Sequence, residues 1–177
     1  MWTRGTRRQF GFTSTELAVV LLVAITLAAI AAPSLTITLR KVRVNLISSS
    51  LLANLRQARG EAIKLNRHVL VCAANAAGTN CSASTNWGSR GWIVCYDQDA
   101  DGNCDASTAS LPNPIAVGAA VDPTVASVVG PTAGVSFTPT GSAGAQSSVT
   151  VTGNWSGATA VTTTVSATGS VKGSRLN

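Results

Sequence analysis

The sequence predicts an α+β chain in which one long N-terminal helix precedes a small β-rich globular head. Three observations carry that expectation. Residues 17–39 hold no charged side chain and are long enough to cross a bilayer, which takes about 20 apolar residues. After them, Val44, Ile47, Leu51, Leu55, Ala58, Ala62 and Leu65 recur three and four apart, one continuous helical stripe. Beyond Arg67 the apolar period drops to two, in segments rich in Val and Thr and separated by Gly and Asn.

The helix is expected to run from 12 to about 67. It should bend gently at Pro33, whose ring removes one backbone hydrogen bond. Arg56, Arg59 and Lys64 fall off the stripe and read as a solvated face. Residues 68–72 and 91–96 read as strands joined by a polar connection at 75–89. Later strands are expected at 115–117, 125–129, 135–138, 148–152, 159–167 and 170–172. Residues 153–157 look like a hairpin tip, and the Thr-rich faces around them suggest a sheet that is wet on one side.

Glu16 stands at the edge of the apolar run, where an ionised side chain in hydrocarbon costs roughly 2.5–3.5 kcal/mol and usually has a functional partner. It follows the basic leader Arg7-Arg8-Gln9-Phe10-Gly11 and the segment Phe12-Thr13-Ser14-Thr15. An ordinary secretory signal has an apolar core of about 7–15 residues, shorter than this run. The arrangement resembles the signal of type IV pilins and of the related secretion pseudopilins. That resemblance implies a prepilin peptidase cutting after Gly11, N-methylation of the new terminal residue Phe12, and Glu16 at the family's glutamate position. Pro33 matches the family's helix-kinking proline, whereas Ser14-Thr15 replace residues that are usually apolar.

Two further segments narrow the resemblance. Leu55-Arg56-Gln57-Ala58-Arg59-Gly60-Glu61-Ala62-Ile63-Lys64 resembles the late-helix pattern of the GspH/FimT (FimT/FimU) family. Gly91-Trp92-Ile93-Val94-Cys95-Tyr96-Asp97 is similar to its Gly-Trp strand and Asp-rich turn. The family implies a pilin-like fold and a structural subunit: a minor type IV pilin, or a minor pseudopilin of a type II secretion system. It divides the chain into a leader (1–11), a transmembrane and assembly half-helix (12–39), an amphipathic half-helix (40–67) and the head (68–177). The protein would sit in the inner membrane as a single-pass chain with a periplasmic head, then enter a pilus or pseudopilus. Its partners would be other pilin or pseudopilin subunits, the peptidase, the membrane and, for FimT types, DNA taken up in natural transformation. In such a fibre Glu16 would meet the amine of a neighbouring Phe12.

All four cysteines, Cys72, Cys81, Cys95 and Cys104, fall in the exported part, where an even count reads as two disulfides. Cys72–Cys81 with Cys95–Cys104 is favoured, each closing a short loop beside a strand; Cys72–Cys95, joining two strands, is the alternative. No CxxC occurs, which argues against a zinc knuckle or a thioredoxin-type site.

The net charge of +6 suggests nucleic acid until it is located. Arg4, Arg7 and Arg8 belong to the leader, and Arg40, Lys41, Arg43, Arg56, Arg59, Lys64 and Arg67 to the helix, opposed only by Glu61. Arg40, Lys41 and Arg43 would meet anionic lipid head groups at about 1 kcal/mol each. The head sets Arg90, Lys172 and Arg175 against Asp97, Asp99, Asp101, Asp105 and Asp122, a net charge of −2. The DNA role of FimT types rests on a C-terminal Gly-Arg-x-Arg motif. Here Gly169-Ser170-Val171-Lys172 and the following Arg175 occupy that place, so Lys172 and Arg175 are the candidate DNA contacts. A lysine meets phosphate as a point charge without the bidentate fork, which implies weak, salt-sensitive binding.

Asp97-Gln98-Asp99-Ala100-Asp101-Gly102 copies the first half of a calcium-binding EF-hand loop, which makes Asp97, Asp99 and Asp101 candidate Ca2+ ligands. The twelfth position is Thr108, so the closing glutamate is missing, and an Asp/Gly-rich turn is the simpler reading. No other cofactor is expected. His68 is the only histidine, no serine or cysteine has a recognisable partner base, and the aspartates cluster in one turn. Trp87, Trp92 and Trp155 read as packing residues. The sequence therefore points to a structural chain rather than an enzyme.

Overall fold

The computed structural model describes residues 12–175, apart from the side chains of 30–35 and 174–175. Gly11 and the rest of the expected leader lie outside the described residues. Among the described residues there is one helix, α1, which spans Ser14–Leu65. Thr13 caps its start: its Oγ1 accepts the backbone N–H of Glu16 at 3.3 Å and its carbonyl accepts that of Leu17 at 3.1 Å. The run Thr13-Ser14-Thr15-Glu16 thus has the spacing of a capping box, which gives its polar residues a local role. At the other end Asn66 takes a positive φ of 51°, and Arg67 N–H donates to Ala62 O while Asn66 N–H donates to Ile63 O. That is a Schellman stop built on asparagine, and it ends α1 two residues short of the expected 67.

The chain divides into two compact units, Met1–Leu39 and Arg40–Asn177. In the first, every described side chain from 12 to 29 is exposed, whatever face of the helix it occupies. The described residues of the second hold eight strands: β1 Val69–Ala73, β2 Trp92–Tyr96, β3 Ala116–Val117, β4 Ala126–Val129, β5 Val135–Phe137, β6 Ser147–Gly153, β7 Ala160–Val165 and β8 Val171–Arg175. They form two four-stranded antiparallel sheets, ordered β3-β2-β1-β5 and β4-β6-β7-β8.

The core joins the helical stripe to both sheets. Val44, Leu51, Leu55, Ala58 and Ala62 cluster with Val69, Val71, Trp92 and Val94 of the first sheet and Val128, Val149, Val151 and Val165 of the second. Leu65, expected to complete the stripe, is exposed because the helix ends there. Ser48, off the apolar pattern, is buried and satisfies its hydroxyl by donating to Val44 O at 2.9 Å.

β1 and β2, the central strands of the first sheet, are buried on both faces, so neither shows the period of two expected beyond Arg67. Behind it, Leu70, Cys72, Ala74, Ile93 and Cys95 form a second small core together with Cys81 and Cys104. Cys72 bonds to Cys81 and Cys95 to Cys104, with Cα separations of 5.6 and 5.5 Å. Cys72 sits opposite Ile93 and Cys95 opposite Leu70, so the two strand cysteines are diagonal neighbours and each reaches a loop instead. Each bridge closes a separation of 9 residues, for which loop entropy implies about 2.5 kcal/mol. Asn80 ties the two loops together: its Oδ1 accepts the N–H of Cys81 at 2.7 Å and of Cys104 at 2.8 Å.

The second sheet keeps the expected alternation. Val149 and Val151 are buried, while Thr150 and Thr162 lie opposite one another on the wetter face with hydroxyls 3.2 Å apart. β7 stops at Val165 rather than 167, because 166–170 form a tight turn in which Gly169 N–H donates to Ser166 O and Ser170 N–H to Ser166 Oγ.

That turn corrects one expectation. Arg59 is half-buried rather than solvated: its Nε donates to Gly141 O at 3.0 Å and its Nη2 to Thr168 O at 3.3 Å. One guanidinium thereby fastens two turns of the head to α1. Arg59→Ala is expected to lower head stability by about 1–2 kcal/mol, part of the value of two charged hydrogen bonds because water reaches the site. Urea unfolding of the detergent-solubilised chain, followed by Trp fluorescence, measures it.

Candidate assembly site

The residues expected to act in assembly sit at the start of α1. Phe12 is 77% exposed, and Glu16 lies exposed in the first helical turn, where the positive end of the helix dipole favours a carboxylate. Among the described residues the one ion pair is Lys64–Glu61 at 3.6 Å, so Glu16 has no cationic partner there. Around it Leu17, Val19, Val20, Leu21, Leu22, Ile25 and Leu27 are all exposed. Pro33 lies within α1, and its side chain is outside those described. Among the described residues no helix is long and apolar enough to cross a membrane. The expected span at 12–39 includes the side chains of 30–35, which lie outside that set.

The aspartates Asp97, Asp99 and Asp101 do converge, with one carboxylate oxygen of each within 4.8 Å of the others. Their hydrogen bonds describe a capped turn. Asp97, 1% exposed, accepts the N–H of Asp101 at 3.0 Å and of Gly102 at 3.1 Å. Burial pushes the Asp97 carboxyl above its ordinary range, and those two N–H groups oppose the shift. Asp101 accepts both the N–H and the side-chain amide of Asn103, and Asp105 accepts Gln98 N–H. Asn113, which no sequence pattern marks, closes the loop by accepting Tyr96 N–H and donating to Tyr96 O and Asp105 O.

Lys172 and Arg175 are not brought together. Both lie on β8, paired with Thr164 and Val161 of β7. Three residues apart on a strand, they occupy register positions on opposite faces of the sheet. Lys172 is exposed, and the Arg175 side chain is outside those described.

Arg59, Asn80 and Asn113 act through hydrogen bonds to residues distant in sequence, which no local pattern marks.

The family model described as Type II transport protein GspH matches residues 48–169. Two crystal structures of the type IV minor pilin FimU from Pseudomonas aeruginosa have similar folds. The first is 16% identical with a TM-score of 0.53, covering 75% of this chain and 88% of that one. The second, also 16% identical, has a TM-score of 0.51 and covers 73% and 91% respectively. At that identity the likeness concerns the fold. No curated protein matches the sequence significantly.

Proposed function

Because the chain belongs to the GspH family of type II transport proteins, we propose that it is a minor pilin-type subunit, held in the inner membrane through 12–39 and then drawn into a fibre. The observation that carries this reading is the start of α1: apolar side chains exposed on every face, with one carboxylate at the edge. A continuous apolar surface of that kind needs lipid or other helices to cover it. Removal of 1–11 after Gly11 frees the Phe12 amine, which is then methylated. In the assembled bundle the Glu16 carboxylate of one subunit meets the Phe12 amine of its neighbour, so that two costly charges neutralise each other. Pro33 supplies the bend that lets these helices pack, and the oxidising periplasm keeps both disulfides closed.

A second reading places the fibre in type II secretion, and the family's own description favours it. Deleting the gene and assaying piliation and protein secretion separately distinguishes the two. Lost surface pili with normal secretion identify a type IV pilin; lost secretion with normal pili identifies a pseudopilin.

DNA contact is a subsidiary role of Lys172 and Arg175. Because the two occupy opposite faces of the sheet, one face offers a single phosphate contact, and log affinity should fall against log salt with a slope of about −0.9. The Lys172→Ala/Arg175→Ala variant should flatten that slope in gel-shift titrations, and an unchanged slope rejects the assignment.

A further inference from the structure

A groove of about 400 Å3 opens between residues 43–50 of α1 and the segment 119–125. Leu46, Ile47, Trp92, Val121 and Val125 line it, with Arg43 and Asp122 on its rim. Leu46 is 64% exposed, and Val42, one helical turn before it, is exposed too. The head covers the neighbouring stripe of Val44 and Leu51 and leaves this pair beside an apolar slot. The spacing suits an amphipathic helix laid along α1 with one side chain inserted.

Charge selects the occupant. Asp122 is already engaged, accepting the N–H of Thr124 at 2.8 Å and its hydroxyl at 2.7 Å. Among the described residues no carboxylate lies within ion-pair distance of Arg40, Lys41 or Arg43. Residues 40–67 carry seven cations against Glu61 alone. A second copy docking through its own residues 40–67 would bring the same excess to the contact, and like charges facing each other across an interface are penalised.

We propose that this groove docks an acidic, apolar-faced helix of a different fibre subunit, whose aliphatic side chain enters beside Leu46 and whose carboxylates meet Arg40 and Arg43. The proposal rests on the fibre reading above and adds to it the identity class of the neighbour: heterologous and acidic.

A photo-crosslinking residue at position 46, in the full chain co-expressed with its fibre subunits in membranes, tests it. The expected adduct is with a different pilin-type subunit, through an acidic helical segment, and is absent from a control crosslinker at Ser156. Arg43→Glu should lower the yield by about tenfold, and a carboxylate-to-lysine change at the mapped partner site should restore it. An adduct of twice the chain's own mass, an adduct with lipid alone, or no adduct overturns the proposal. Leu46→Asp, on an exposed position, should block incorporation at unchanged head stability. If Glu16→Ala blocks assembly while Leu46→Asp assembles normally, the groove assignment fails alone. If both variants assemble normally, the fibre mechanism fails as well.

Discussion

Glu16→Ala is expected to leave membrane insertion intact and to lower incorporation into the fibre by about a hundredfold or more. Removing one partner of a buried ion pair strands the other, at roughly 3–5 kcal/mol. In the proposed bundle the stranded group is the Phe12 amine of a neighbour. Insertion should be unharmed, since the substitution removes an ionised group whose placement in hydrocarbon costs roughly 2.5–3.5 kcal/mol. Fraying of the helix does not explain such a loss, because the contact with Thr13 Oγ1 comes from the backbone N–H of Glu16, which alanine retains. Glu16→Gln separates charge from size and should fail nearly as badly. Immunoblots of membrane and sheared-fibre fractions measure both quantities. A Glu16→Ala chain found in fibres at the normal level contradicts the pairing.

Gly169→Ala is expected to destabilise the head by about 3 kcal/mol or more. Gly169 has φ +78°, a region that costs an L side chain about 1–2 kcal/mol. Crowding costs more than the backbone does: a Cβ there would lie 1.8 Å from Gly141 O. That carbonyl is the one Arg59 Nε holds at 3.0 Å, so the 166–170 turn must move and the Arg59 contact is lost with it. Gly144→Ala is the control. Its φ of +67° is similarly unfavourable, but nothing lies within 4 Å of the added atom, so only the backbone cost of about 1–2 kcal/mol applies. Urea midpoints of the two variants should differ accordingly. Equal midpoints would mean that the turn yields freely and that Arg59 does not depend on it.

Most of the architecture was legible because it follows from periodicity. The three-and-four spacing of Val44, Ile47, Leu51, Leu55, Ala58 and Ala62 reports the packed side of α1 directly. The alternation of Val and Thr in β6 and β7 reports a sheet with one buried face. β1 and β2 were legible as strands but not as fully buried ones, because the period of two expected there gives way to a second small core assembled with the disulfide loops. Residues that close tertiary contacts were not legible. Arg59 looked like any cation on a helix face, because its acceptors, Gly141 and Thr168, lie far away in sequence. Asn80 and Asn113 are ordinary loop residues until the loops they join are adjacent. The separation of Lys172 from Arg175 depended on β8 continuing to 175, beyond the expected 172, since only then does strand alternation assign them faces. Glu16 was conspicuous for the opposite reason: a carboxylate bordering a long apolar run stands out on chemistry alone.

Mass spectrometry of the chain extracted from the membrane reads the proposed mechanism at its first step. The expected product begins at Phe12 and carries one additional methyl group on its terminal amine. A chain that retains Met1, or one trimmed anywhere other than the Gly11/Phe12 bond, would leave Glu16 without the amine it is proposed to meet.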